Sequence, residues 1–162
     1  MIWEQSNRFD PRAVAIADRH YNRQKPGTNQ FVPPGSNVVF MTPDERALWV
    51  TICQEHVRHA WPGAWVNSLF RNEGAGLSSA LIREAVAATR ALWPAVPDAG
   101  IITFVDGSKI RRKRDPGRCY RKAGWRHVGF TQERRLYVFQ QLPAEMPDPE
   151  MPTLGLWRHS TA

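Results

Sequence analysis

The sequence predicts a single α+β domain, within the wider α/β class, in which a mixed central sheet is flanked by helices. Three observations predict it: short apolar runs of strand length, one long segment with apolar residues at helical spacing, and a second, shorter helical segment between late strands. A chain of 162 residues has the size of one domain with one core. We expect the domain to span residues 1–141 and a proline-rich tail to span residues 142–162.

The first half of the chain opens with a helix. Asp10 can cap it and Pro11 suits its first turn, so a helix is predicted over residues 12–21. Clustered proline and glycine residues then predict a loop up to residue 37. Apolar runs bounded by turn residues predict three strands, over residues 38–41, 47–53 and 64–71.

The clearest helix follows the third strand. Ser78 or Ser79 can cap it, its apolar residues recur at helical intervals, and Pro94 and Pro97 end it. The remaining elements are a strand of the parallel kind, a basic loop, a short helix and two strands, over residues 101–105, 109–114, 118–123, 126–130 and 136–139. Four prolines after residue 142 predict an extended or mobile tail.

Composition narrows the class of protein. No apolar run is long enough to span a membrane and the N-terminus lacks a signal pattern, so we expect a cytoplasmic protein with no membrane partner. The two cysteines, Cys53 and Cys119, have no spacing that indicates a metal site, and none is predicted. A net charge of +7 makes nucleic acid a candidate partner, although many basic proteins are basic for solubility alone. A homodimer is an open alternative to a monomer.

A glycine-containing turn between the third strand and the long helix predicts a phosphate site. Glycines let backbone N–H groups approach an anion, and the helix N-terminus adds a favourable dipole. Such turns also occur for geometry alone. The predicted cofactor-binding residues are Phe70, Arg71, Gly74, Ala75, Gly76 and Ser78.

Two motifs resemble the GNAT acyltransferase superfamily. Arg71-x-x-Gly74-x-Gly76 resembles its acyl-CoA pyrophosphate signature, and residues 119–130 resemble its second landmark, a short helix that ends in Tyr-x-x-x-Gly-aromatic. The resemblance covers residues 1–141 and implies a GNAT-like fold with acetyl-CoA or a related acyl-CoA as donor. It also implies that Tyr120 protonates the departing thiolate, a role that suits a phenol. The alternative is that the Tyr120 ring only packs under the sheet.

Four short segments are similar to the phage Mom family, DNA-modifying proteins of GNAT-like fold. They are His20-Tyr21, Ser78-Ser79, residues 104–106 and residues 117–120. The similarity implies modification of the exocyclic amine of adenine in DNA with a carbamoylmethyl-type group that blocks restriction, and it adds Ser79 to the catalytic set. The chain departs from that family in its basic insertion and its complete phosphate turn.

The chemistry of adenine indicates which side chains would act. Its amine is a poor nucleophile, so a base or hydrogen-bond acceptor is needed, and Asp106, at the end of a buried strand, is the candidate. A base in a duplex must be flipped out and stacked, for which Tyr21 and Trp65 are candidates. His20 could contact a phosphate or relay a proton. The alternatives are a helix cap and a core aromatic for His20 and Tyr21, and an ordinary turn residue for Asp106.

Residues 109–114, here called the basic strip, hold five positive charges in six positions. Most such runs are solvated surface. Beside a predicted active site the basic strip indicates phosphate contacts along double-stranded DNA. The predicted nucleic-acid-binding residues are Lys109, Arg111, Arg112, Lys113, Arg114 and Arg118.

The sequence therefore leaves three alternative functions open. The first is a Mom-like DNA base modifier, and the second is a conventional GNAT acetyltransferase acting on a small-molecule or protein amine. The third is a nucleic-acid-binding domain that has lost its chemistry, against which the intact Tyr120 and Gly74-x-Gly76 argue.

Overall fold

The computed structural model describes residues 1–21, 23, 25–54, 59–109 and 115–155. They form a single α+β domain with an eight-stranded mixed sheet and three α-helices, which confirms the predicted fold class. In chain order the strands and helices are β1 Glu4–Ser6, α1 Pro11–Asp18, β2 Ser36–Met41, β3 Ala47–Cys53, β4 Trp65–Asn72, α2 Ser78–Leu92, β5 Ile101–Val105, α3 Arg118–Lys122, β6 Arg126–Phe130, β7 Tyr137–Gln141 and β8 Thr153–Leu154.

The sheet has the order β6-β7-β5-β4-β3-β2-β1-β8. The central pair β4–β5 and the edge pair β1–β8 are parallel, and the other neighbours are antiparallel. One face packs against α2 and α3 in a cluster that includes Trp49, Ile82 and Phe139. The opposite face packs against α1, where Ile16 and Val50 are buried. Strands β2, β3, β4, β5 and β7 therefore have buried apolar residues on both sides of the sheet.

Helix α1 begins as predicted and ends earlier. The Asp10 side chain accepts a hydrogen bond from the Arg12 backbone N–H at 3.0 Å and so caps the helix. The helix ends at Asp18, three residues before the predicted end. The Asp18 carboxylate accepts hydrogen bonds from the Gly27 N–H at 2.9–3.0 Å and from Arg23 Nε at 2.7 Å, which ties the following loop back to the helix end.

The predicted serine cap of α2 is wrong. Leu77 is the N-cap, and Ser78 is already the first helical residue, with no side-chain cap. Instead, Ser78 Oγ accepts a hydrogen bond from Asn72 Nδ2 at 2.9 Å, so the serine hydroxyl binds the preceding loop. The apolar face of α2 is buried as predicted, and the helix ends at Leu92, before Pro94.

The described part of the proline-rich tail, residues 142–155, contains a 3₁₀ turn, Pro143–Glu145, and packs against the domain. Met146 is buried in the core on the α2 face, and the Glu150 N–H donates to the Ala87 carbonyl at 3.1 Å. Strand β8 then pairs with β1. Packing onto the sheet thus continues past residue 141. In the described residues, no helix is long and apolar enough to cross a membrane.

Candidate functional site

The main cavity of the described structure lies where the two central parallel strands part. Strands β4 and β5 pair at Trp65–Ile101, Val66–Ile102 and Asn67–Thr103, and their paired register ends there. The later residues of both strands line a cleft of about 850 Å³. The residues before α2, the first residues of α2 and helix α3 complete its walls. The cleft is therefore a gap in the sheet itself.

A bulge in β4 explains why the strands part. Opposite β3, Val50 faces Leu69 and Thr51 faces Asn67, so Ser68 is an extra residue in β4. A bulge of this kind bends and twists its strand. The bend directs the second half of β4 away from β5.

Asn67 holds the point of divergence together. This buried side chain donates from Nδ2 to the carbonyls of Val50 and Leu69, both at 2.9 Å. Its Oδ1 accepts from the Tyr120 hydroxyl at 2.6 Å and from Thr103 Oγ1 at 3.2 Å. The amide thus joins β3, both sides of the bulge, β5 and α3. Asn67 is not among the residues predicted from the sequence, although a polar residue within an otherwise apolar strand is a usable signal.

Tyr120 lies at the vertex of the cleft with its hydroxyl on Asn67. Its ring is buried between Trp125, at a centroid distance of 5.0 Å, and Phe139, at 6.2 Å. The ring therefore packs under the sheet beside the cleft, and the role of Tyr120 as a proton donor stays a prediction. Burial raises the pKa of Tyr120 well above its usual value, so the phenol is neutral and able to donate a proton or hydrogen bond.

The side chain of Asn72 organises the loop of residues 72–76. Asn72 Oδ1 accepts from the N–H groups of Gly74 at 3.1 Å and Ala75 at 2.9 Å. Its Nδ2 donates to the Gly76 carbonyl at 2.8 Å. Gly74 has a φ of 100°, which favours glycine there. Asn72 thus engages the Gly74 and Ala75 N–H groups that are predicted to bind phosphate, and phosphate binding there stays a prediction.

The start of α2 provides the N–H groups that face the cleft. The first turn of a helix leaves its N–H groups without intrahelical partners and adds the positive end of the dipole. Gly76, Ser78 and the buried Ser79 line the cleft there, and Phe70 lines it from β4. Of the predicted phosphate-binding residues, Arg71, Gly74 and Ala75 lie outside this lining.

Arg71 is engaged in an ion pair. Its Nε donates to Glu73 Oε2 at 2.5 Å, and the same carboxylate accepts two hydrogen bonds from Arg19 at 2.8 Å. Arg19, and then Arg71, hold the pKa of Glu73 down to about 2. The cations that line the cleft come instead from α3, as Arg118 and Lys122. The sequence analysis assigned Arg118 to DNA and did not assign Lys122.

The residues after α1 connect the two parted strands. His20 is buried and its Nε2 lies 3.2 Å from the Phe70 carbonyl on β4, so this nitrogen is the donor. Tyr21 stacks on His20 at a centroid distance of 4.4 Å. The backbone of Asp106 hydrogen-bonds the Tyr21 hydroxyl, and burial is the main cause that raises the pKa of Tyr21. His20 and Tyr21 both line the cleft, so the structure brings them to the predicted site.

Asp106 follows β5 beside the cleft. Its Oδ1 accepts from the Ser108 N–H at 3.0 Å and from Ser108 Oγ at 2.6 Å, which makes it the cap of a 3₁₀ turn, Gly107–Lys109. These bonds, with Arg134 at 3.9 Å, lower the pKa of Asp106. A lowered pKa weakens a base. The geometry therefore favours a hydrogen-bond acceptor over a general base at this position.

The remaining predicted residues divide into three groups. Lys109 is exposed at the end of the 3₁₀ turn and Arg118 is exposed at the start of α3, while residues 111–114, Arg111, Arg112, Lys113 and Arg114, lie outside the described residues. Trp65 is buried and packs against Trp93 at a centroid distance of 5.7 Å. The prediction that Trp65 stacks a flipped base is therefore wrong, because its ring belongs to the core.

Comparisons with known proteins find no counterpart. No family model matches the chain, and no curated protein or solved structure matches it. Within the part of the chain that the structure describes, no group of three or more His, Cys, Asp or Glu side chains is placed to hold a metal ion. The site is thus characterised by its own geometry: a gap between parallel strands, a helix N-terminus, a buried phenol and a basic rim.

Proposed function

We propose that this protein is a GNAT-like acyltransferase that holds acetyl-CoA or a related acyl-CoA in the cleft. We further propose that it is a Mom-like enzyme acting on the exocyclic amine of adenine in double-stranded DNA. The observation that carries the proposal is the parting of β4 and β5 beyond Asn67 and Thr103, with the start of α2 along one wall and Tyr120 at the vertex.

The cleft suits an elongated donor that carries both amides and phosphates. Backbone groups of the parted strands can pair with a chain laid between them, as in strand addition. The N-terminus of α2 favours a phosphate, and Arg118 and Lys122 supply positive charge from α3. A thioester at the inner end of such a donor would lie near the Tyr120 hydroxyl.

The reaction is a direct transfer of the acyl group, and its product on adenine is an amide in place of the carbamoylmethyl-type group of the Mom family. The acceptor nitrogen attacks the thioester carbonyl carbon, a C–N bond forms, and the C–S bond breaks. The sulfur leaves with the electron pair of the C–S bond and takes the proton of the Tyr120 hydroxyl. In the structure this hydroxyl donates its hydrogen bond to Asn67 Oδ1. The phenolate regains a proton that originates from the attacking amine, so that amide and thiol are the products.

The acceptor side of the proposal is supported by the residues at the open end of the cleft. The Tyr21 ring is half exposed and already stacked on His20, so it offers a face to a flipped base. The ionised Asp106 can accept a hydrogen bond from an amine. The exposed Lys109 ends the 3₁₀ turn that Asp106 caps, and the net charge of +7 favours a polyanionic substrate.

The test is mass spectrometry of nucleosides from the DNA of cells that express the protein. We expect an adenine adduct that is lost with Tyr120→Phe and retained with Tyr137→Phe, a matched change at a tyrosine outside the cleft lining. Asp106→Ala should lower its amount. Unmodified DNA together with acetyl-CoA turnover on small amines or protein amines would replace the DNA assignment with the conventional GNAT activity. Absence of CoA binding would overturn the proposal as a whole.

A further inference from the structure

Two hydroxyl groups meet on the side-chain oxygen of Asn67. The Tyr120 hydroxyl donates to Asn67 Oδ1 at 2.6 Å. Thr103 Oγ1 lies 3.2 Å from the same oxygen and 3.0 Å from the Asn67 carbonyl oxygen. Thr103 is a buried residue of β5 that lines the cleft, and it is not among the site residues predicted from the sequence.

The orientation of the Asn67 amide fixes the direction of these bonds. Its Nδ2 lies 2.9 Å from the carbonyls of Val50 and Leu69, which can only accept, so both amide hydrogens are used there. Asn67 Oδ1 therefore faces the two hydroxyls and accepts from them. The proton of Tyr120 is directed to Asn67, and an acceptor at that position stabilises the neutral phenol.

The neutral phenol is by itself a poor acid for the transfer. Burial is the main cause that raises the pKa of Tyr120 well above its usual value, and Cys119 and Tyr21 raise it further. An ordinary thiol has a pKa of about 8.5, so a proton passes from this phenol to a leaving thiolate only if the phenolate is stabilised. A hydrogen bond with the Thr103 side chain acts in that direction, because it lowers the pKa of Tyr120.

We propose that Thr103 is a positioning residue for acyl transfer, whose hydroxyl turns from Asn67 to the Tyr120 oxygen as that oxygen loses its proton. This rests on the proposed function, in which Tyr120 protonates the leaving sulfur. The O–H bond of Tyr120 breaks, and an S–H bond forms with the electron pair that the sulfur takes from the C–S bond. Thr103 keeps its own proton and only redirects its hydrogen bond, which a rotating hydroxyl can do.

The kinetic test compares Thr103→Val with Thr103→Ser in the full chain. Valine keeps the shape of threonine without the hydroxyl, whereas serine keeps the hydroxyl. Release of the CoA thiol from acetyl-CoA is measured with the acceptor that wild type uses. Thr103→Val should lower kcat about tenfold, the loss of one hydrogen bond to a charged oxygen, and leave the KM for acetyl-CoA unchanged. Thr103→Ser should retain most of kcat.

A titration tests the same contact without turnover. A difluorotyrosine, whose phenol is more acidic than that of tyrosine, replaces Tyr120, and fluorine NMR follows its ionisation. The midpoint should lie at higher pH in Thr103→Val than with threonine or serine at that position, because the phenolate loses its donor. A purely structural role of Thr103 would lower stability and leave this midpoint in place.

The matched control removes a buried threonine hydroxyl elsewhere. Thr89 lies in α2 outside the cleft lining, and its hydroxyl donates to the Ala85 carbonyl at 2.8 Å. Thr89→Val should leave both kcat and the midpoint unchanged, and thermal unfolding verifies that each variant is folded. If Thr103→Val does not fold, Thr103→Ala serves in the same comparison.

Three results would overturn the role of Thr103 while the proposed function stands. They are a wild-type kcat in Thr103→Val, a lowered kcat with an unmoved midpoint, and a raised KM for acetyl-CoA in place of a lowered kcat. The last would mean that Thr103 binds the donor. Absence of turnover by wild type with DNA, small amines and protein amines would overturn the proposed function and, with it, the step assigned to Thr103, even if the midpoint moved.

Discussion

The two ends of the cleft are held by different kinds of interactions. At the proposed donor end, the buried amide of Asn67 and the more exposed amide of Asn72 bind backbone groups and nearby side chains, within or beside β4. At the acceptor end, Tyr21 is half exposed and reaches across from the end of α1 to Asp106 after β5. A buried amide network costs much to break, whereas exposed contacts cost little. The proposed donor end is thus held by hydrogen bonds that also stabilise the fold. The proposed acceptor end is held by contacts at the surface.

The largest effect is expected at the vertex of the cleft. Asn67→Ala should lower the free energy of unfolding by about 3 kcal/mol, because buried donors and carbonyls lose their partner. Asn37→Ala is the control, since this partly exposed residue of β2 makes a local bond to the Gly35 carbonyl, and it should cost below about 0.5 kcal/mol. Urea unfolding measures both. Equal losses would show that the vertex is not specially stabilised.

A smaller effect is expected at the loop of residues 72–76. Asn72→Ala should cost about 1.5 kcal/mol of stability, because the loop amides that Asn72 binds are nearer to solvent than those at Asn67. It should also weaken CoA binding about tenfold by loosening the loop. The same urea series and a CoA titration test this. A loop that kept full CoA affinity without Asn72 would mean that this network does not preorganise the site.

Acid should weaken the ion pairs around Glu73. Because the folded state holds the pKa of Glu73 at about 2 against an ordinary 4.5, this carboxylate stabilises the fold above pH 4.5. That contribution is lost as the pH falls toward 2, and solvent screening limits it to about 1 kcal/mol. Urea unfolding between those values should show a steeper decline for wild type than for Glu73→Gln. If the free energy of unfolding fell equally with pH in wild type and Glu73→Gln, Glu73 would not contribute to the acid response. The control is Glu133→Gln, which should behave as wild type.

The smallest effect on stability is expected at the acceptor end. Tyr21→Phe keeps the ring stacked on His20 and removes the hydroxyl that is hydrogen-bonded to the Asp106 backbone. The free energy of unfolding should therefore change by less than about 0.5 kcal/mol. CoA affinity should be unchanged, while the KM for a DNA substrate rises about threefold. A large loss of stability would mean that the acceptor end is as much a part of the fold as the donor end.

Local patterns were enough to predict most of the elements. Asp10-Pro11 fixes where α1 starts, the apolar runs place β3 and β5 at their observed bounds, and the periodic residues of α2 identify its buried face. Glycines between a strand and a helix predicted the turn before α2. These features depend on neighbours in the chain, so sequence spacing is sufficient to find them.

Only the tertiary structure shows how those elements make a site. The bulge at Ser68 depends on the register between β3 and β4, and the pairing of Arg71 with Glu73 and Arg19 depends on where α1 packs. Trp65 shares the apolar pattern of its strand whether it faces the core or the cleft. Register, facing direction and charge pairing are set by contacts between distant residues, and for that reason the sequence predicted the phosphate turn but not the hydrogen bonds that shape it.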